Sequence, residues 1–284
     1  HIRDGAAVGF NFVGGLVGRN EGGAILDCTA HATVTGLARV GGLVGESYLG
    51  TVLRCHAGGR VSGISDSACW GIGGLIGEND RAVVEDSNAV CLVQGDNYVG
   101  GLIGDNVVAE VRRCRAGGSV YAESEAGGLI GRSRGGIVVD CYCLAEVQGD
   151  FLVAGLVARN APSCYCTGGT PGLIACCYAA GPVGTRTGIV AAGLVALNEG
   201  GDVLESFWDL ETTGCGPSDG GCGKTTAQMC DPLTYLDAGW HLAEPSTSAD
   251  RGAWCMPAEP AYPCLAWEEA CEAPETPDAV PAIP

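Results

Sequence analysis

The sequence predicts an all-β chain, a parallel β-solenoid, and three observations predict it. A glycine–leucine step recurs along most of the chain, other residue types keep step with it, and no helical hydrophobic period interrupts that stretch. The step falls at Leu16, Leu43, Leu75, Leu102, Leu129, Leu156 and Leu194, with spacings of 27, 32, 27, 27, 27 and 38 residues. One unit is therefore 27 residues, and two copies carry insertions, around Ser65–Trp70 and within Pro162–Cys177. About seven such rungs would stack roughly 4.8 Å apart, each buried only by its neighbours.

Each column of the repeat has its own chemistry. The glycines beside each leucine turn the chain or let walls approach closely. In the last two copies "GGLVG" becomes "AGLVA", so small size is part of what they supply. Four residues after the leucine stand Asn20, Ser47, Asn79, Asn106, Ser133, Asn160 and Asn198, a ladder of side chains bonding rung to rung at a turn. Just before it, Arg19, Glu46, Glu78, Asp105, Arg132 and Arg159 mix charge signs, which reads as a solvated face. Ile25, Val52, Val84, Val111 and Val138 form one apolar column, and Val34, Val61, Val93, Val120 and Val147 another. The unit thus reads as three short β-like runs separated by Gly or Asn.

Twelve residues after the leucine come Cys28, Cys55, Ser87, Cys114 and Cys141. Residues stacked on adjacent rungs have Cα atoms within disulfide range. Ser87 splits the column into two pairs, Cys28 with Cys55 and Cys114 with Cys141. Each bridge would close a loop of about 27 residues, worth roughly 3.5 kcal/mol in a chain-entropy account. The alternative is that these thiols are small buried hydrophobes in a narrow core. Cys164, Cys166, Cys176 and Cys177 would staple the second insertion, with Cys69 and Cys91 as remaining partners.

Beyond Ser206 the period stops. The segment 207–267 holds four of the five tryptophans and most of six further cysteines: Cys215, Cys222, Cys230, Cys255, Cys264 and, just beyond it, Cys271. It reads as a disulfide-rich cap over the last rung of the solenoid at 1–206, with Cys215, Cys222, Cys264 and Cys271 as disulfide candidates. Residues 268–284 read as an acidic, proline-rich tail lying against its own solenoid or a neighbour.

Composition narrows the function. The 48 glycines have no third-residue period, which excludes collagen, and the net charge of −18 repels nucleic acid and anionic membranes. No apolar run is long enough for membrane insertion. Seventeen cysteines favour an oxidising compartment, hence an extracellular or cell-surface protein. The start at His1 reads as a mature or trimmed product.

The strings "VGGLVGRN", "VGGLVGES", "IGGLIGEN", "VGGLIGDN" and "AGGLIGRS", with the "SFWDLETTG…GGCGKTTAQM…AGW" stretch, resemble the GLUG-motif repeats of bacterial secreted and surface proteins and the segment that often closes them. The resemblance covers about 230 residues. It implies an extracellular, adhesin-like β-solenoid and no catalytic activity.

A search for chemistry agrees. The histidines are His1, His31, His56 and His241, and no HExxH occurs. "GCGKTT" (Gly221–Thr226) has Ser218 where a phosphate loop needs glycine. Asp209, Glu211 and Asp219 could hold calcium but lack loop spacing for it; no other cofactor is expected. The chain is expected not to be an enzyme. Its first reading is a structural subunit that self-assembles head-to-tail into a filament or surface fibre. The N-terminus would enter mid-repeat, leaving an edge for a strand or tail exchanged between copies. The second is an adhesin stalk binding a surface glycan or host protein through its insertions, with Trp70 as the loop aromatic. The third is a β-helix carbohydrate-active enzyme.

Overall fold

Alternation turns each run of the repeat into a strand: in Thr29–Gly36, Ala30, Ala32 and Val34 point inward while His31 and Thr33 point out. A computed structural model of the chain describes residues 1–64, 69–164, 168–187, 190–243, 253–257 and 261–268. It is a parallel β-solenoid. Two compact units are His1–Met229 and Cys230–Pro284.

Each rung has four strands, not three, and equivalent strands pair in parallel into four long sheets. The first sheet takes the longest strands, from Ile2–Val8 through Thr29–Gly36, His56–Gly63, Asn88–Gly95 and Arg115–Ala122. The second runs from Asn11–Gly14 to Val190–Ala192, the third from Val17–Glu21 to Val195–Asn198, the fourth from Ala24–Leu26 to Asp202–Leu204. The three-run reading fails because the stretch ahead of each leucine is a strand of its own. Residues 2–14 accordingly fill two strands, paired with Thr29–Gly36 and Ala38–Gly41, so the first rung is complete rather than entered midway.

The corners explain the sequence differently from the expectation that glycine makes the turns. Asp27, Arg54, Asp86, Arg113, Asp140, Cys176 and Glu205 all take left-handed dihedrals at one corner, with φ between 45° and 54°. Leu49, Arg81 and Val108 do so at another, where Gly22, Gly135 and Gly200 hold the equivalent place, so glycine makes that turn in only some of the rungs. The Gly-Gly-Leu corner needs glycine for closeness instead. A methyl at Gly42, Gly74, Gly101, Gly128 or Gly155 would overlap the carbonyl oxygen of the equivalent glycine one rung on. That second glycine persists in "AGLVA"; the first, which has become alanine there, is the adaptable one.

Inside, leucines stack on leucines and valines on valines. Leu43, Leu75, Leu102, Leu129, Leu156 and Leu194 are fully buried, as are Val34, Val61, Val93, Val120 and Val147. At the C-terminal end of this unit the last rung is covered by residues 207–224. Phe207–Asp209 and Cys222–Lys224 extend the first sheet. Trp208 joins the core and donates its indole N–H to the Cys215 carbonyl at 2.9 Å. The Ser218 hydroxyl accepts the Val195 N–H, and the Asp219 carboxylate accepts the Asn198 N–H at 2.7 Å. These contacts occupy the edge of Val195–Asn198.

In the second unit, Pro232–Leu236 is a helix capped by Asp231. Trp240 packs between Tyr235 and Trp254, at 4.8 and 4.7 Å between ring centroids. Trp254–Cys255 pairs antiparallel with Cys264–Leu265. The tail expected at 268–284 lies outside the described residues beyond 268.

Candidate functional site

The cysteine column is a hydrogen-bond ladder. Cys28, Cys55, Cys114 and Cys141 are free thiols, as are Cys215 and Cys222, which corrects the disulfide expectation for those six. Each column sulfur donates to the carbonyl two residues back: Cys114 to Arg112 at 3.1 Å, Cys141 to Val139 at 3.2 Å, Cys177 to Ala175 at 3.1 Å. Each also accepts a backbone N–H from the rung before, Cys114 N–H to Cys141 Sγ and Cys141 N–H to Cys177 Sγ, both at 3.4 Å. Ser87 and Ser206 make the same two bonds with oxygen. Ser87 therefore continues the column rather than dividing it, and the thiols face backbone groups rather than each other. Burial pushes the Cys114 and Cys141 thiols well above their usual range and Cys143 up to about 12, which makes them inert. Cys164, Cys255 and Cys264 are disulfide-bonded. Cys166 and Cys271 lie outside the described residues.

The Asn/Ser column has a direction. Asn20 donates its amide to Ser47, Asn79 to Asn106, Asn106 to Ser133 and Asn160 to Asn198. Amide nitrogens point to the next rung, and Oδ1 atoms face the rung before. Asn79 and Asn160 each follow a serine, which has no amide to give, and their buried Oδ1 atoms accept no hydrogen bond among the described residues.

The charged column is not a solvated face. Glu46, Glu78 and Asp105 are buried, Glu46 and Glu78 against Arg39 across the corner and Asp105 against the arginines of the next rung. Arg39 bridges Glu46 and Glu78 at 3.4 and 2.9 Å. Arg132 and Arg134 hold Asp105 at 2.6 and 2.9 Å, and Arg159 holds Glu125 at 2.9 Å. The guanidiniums also stack on rings: Arg39 on Trp70 at 4.4 Å and Arg132 on Tyr98 at 3.6 Å. Burial raises the Glu78 carboxyl, with Arg39 opposing and Asp105 and Glu46 adding; burial likewise raises Glu125 against Arg159 and Arg132. Sequence reasoning missed Arg39, Tyr98 and Glu125; the charges of Arg39 and Glu125, opposite in sign to their partners across the corner, were the available signal. Trp70 belongs to the strand Trp70–Gly73 and lies on Arg39, not at a loop tip.

The remaining sequence candidates do not converge. Asp209 caps a short helix by accepting the Glu211 and Thr212 N–H groups, Glu211 accepts the Thr226 N–H, and Asp219 covers the last rung. Gly221–Thr226 spans a strand and the start of a helical turn. Among the described residues, no group of three or more His, Cys, Asp or Glu is placed to hold a metal ion, and no helix is long and apolar enough to cross a membrane.

Rungs of fixed Gly-Gly-Leu corners, hydrogen-bond ladders and stacked ion pairs define a repeat-built β-solenoid. The family model of the GLUG motif matches residues 13–35, within the first two rungs, and this match supports a GLUG-repeat chain. No curated protein and no solved structure matches it.

Proposed function

We propose that the chain is a non-catalytic structural element of an extracellular protein, one that self-associates head-to-tail into a fibre through strand exchange between copies. One observation carries this. Equivalent strands of successive rungs pair in parallel along all four sheets, and Val8 and Phe10 are 80% and 73% exposed. Strand edges of this kind recruit like strands. Supporting the non-catalytic part, the buried carboxylates are held by arginines instead of being presented to solvent. The adhesin reading rests on insertions whose centres, 65–68 and 165–167, lie outside the described residues, and on Trp70, which is engaged by Arg39.

Sedimentation and negative-stain microscopy of the full chain over a concentration series test the proposal, beside a Val8→Lys/Phe10→Lys variant and a chain lacking 268–284. Filaments or oligomers that disappear in the lysine variant are expected. Monomers at every concentration would sink self-association, and loss on deleting the tail alone would move the joint to the tail.

A further inference from the structure

The alternation that fills the core from the fourth sheet also fixes what that sheet shows to solvent. Val111, Val138 and Ile174 are fully buried, so the residues on either side of each point outward. Register stacks Glu110, Ile137 and Leu173 in one outward column and Arg112, Val139 and Ala175 in the other. All six remain partly exposed. None of the other described strands or helices packs extensively against this sheet.

The corner that leads into the sheet supplies a second, independent observation. Leu49, Arg81 and Val108 stand there with φ of 53°, 49° and 49°, where other rungs have Gly22, Gly135 and Gly200. Glycine takes that conformation without strain, and a long or β-branched side chain does not. Leu49 and Val108 are 54% and 40% exposed, and the Arg81 side chain 54%, so burial within the fold does not offset the strain. Strain held at exposed positions points to a surface that is used.

Charge selects the occupant. A two-fold axis parallel to the solenoid lays two such faces together and turns one outward column onto the other, rung on rung. Glu110 then meets Arg112 of the second copy, and Arg112 meets its Glu110. Ile137 meets Val139, and Leu173 meets Ala175. At the margin, Arg81 comes beside Asp86 of the second copy. Glu85, which would face Val83, is held by Arg113 of its own chain. A face of apolar residues and balanced charge suits a copy of itself better than a charged polymer.

We propose that the outer face of the fourth sheet pairs two copies of this chain side by side, parallel and in register. The contact uses side chains on a sheet face rather than strand edges, so it is separate from the head-to-tail joint. Strands of three residues about 4.8 Å apart give a footprint of roughly a few hundred Å² per copy, in the range of weak, reversible contacts.

Sedimentation velocity of the full chain in reducing buffer, over a concentration series, tests the pairing, with circular dichroism confirming that each variant is folded. A dimer is expected, lost in Ile137→Lys and weakened roughly tenfold or more in Arg112→Glu, where Glu110 would face like charge. The swap Glu110→Arg/Arg112→Glu should restore it, and decides the matter if Ile137→Lys fails to fold. Val108→Gly should melt higher yet pair more weakly, a split that a purely structural role would not produce. A chain monomeric at every concentration, or a dimer that the charge swap does not restore, would overturn the pairing. Open-ended oligomers indifferent to these substitutions would overturn it too, while leaving the head-to-tail reading in place. A closed dimer lost in Ile137→Lys, with nothing larger in the parent chain, would uphold the pairing while the head-to-tail reading falls.

Discussion

At the scale of single residues, the ladder columns turn composition into hydrogen-bond accounting. A buried carbonyl oxygen without a donor costs on the order of 1–3 kcal/mol, and Asn160 carries one because Ser133 stands where an amide would reach it. Ser133→Asn should supply that amide while still accepting from Asn106. We expect the variant to gain about 1 kcal/mol in urea unfolding. Asn106→Ala should lose about 2 kcal/mol, since it strips Asn79 of an acceptor and the Ala109 carbonyl of a donor. A neutral result for both would mean that water, not the neighbouring rung, satisfies these groups. The cysteines follow the same accounting. Sulfur and oxygen alternate freely at Cys55, Ser87, Cys114, Cys141, Cys177 and Ser206 because each needs only one donor and one acceptor in one rotamer. A pairing argument from spacing alone could not see the carbonyl two residues back, which holds each thiol away from its neighbour.

At the scale of the rung, the repeat length, the parallel stacking and the apolar columns were legible because burial by neighbours forces like onto like. The corners were less so. Left-handed Asp, Arg, Leu and Val leave no compositional trace, whereas glycine invites the assumption that it makes every turn. Val108, at φ 49°, shows that the stack overrides a β-branched residue's preference. The two glycines of each Gly-Gly-Leu step are also unequal, which a single column of sequence disguises. Gly101→Ala would drive a methyl into the Gly128 carbonyl of the next rung, and backbone there has no room to yield. We expect a loss of about 3 kcal/mol or more. Val108→Gly should gain about 1 kcal/mol by releasing left-handed strain. Thermal melts of the two variants, read against the parent chain, check both signs. An unchanged melting temperature for Gly101→Ala would mean that the rungs are not in van der Waals contact at that corner.

At the scale of the whole solenoid unit, the flank beside the Gly-Gly-Leu corner is an internal ion network, legible only in part. Glu46, Glu78, Asp105, Arg132 and Arg159 stand in one sequence column, but Arg39, Glu125 and the rings of Trp70 and Tyr98 come from the strand before the corner, a strand the repeat pattern did not reveal. All but one of the fifteen cations are arginine, which suits planar stacking and two-point contact with carboxylates. The network also fixes how stability responds to pH. Glu78 and Glu125 have carboxyls raised by burial above the ordinary 4.5. Between that value and the raised one, the folded chain holds protons that the unfolded chain has released, so stability falls as pH rises through the window. Asp27, lowered from 3.8 by its bond to Arg54, acts in the other direction, its contribution being lost only as pH falls below that value. Urea unfolding of the full chain should therefore show stability declining from pH 4.5 upward. The Glu78→Gln/Glu125→Gln variant should flatten that decline, because both groups then lose their proton linkage. A parent chain that grows more stable from pH 4.5 toward neutrality would show that the arginines outweigh burial, and that the two carboxyls are ionised as soon as the chain folds.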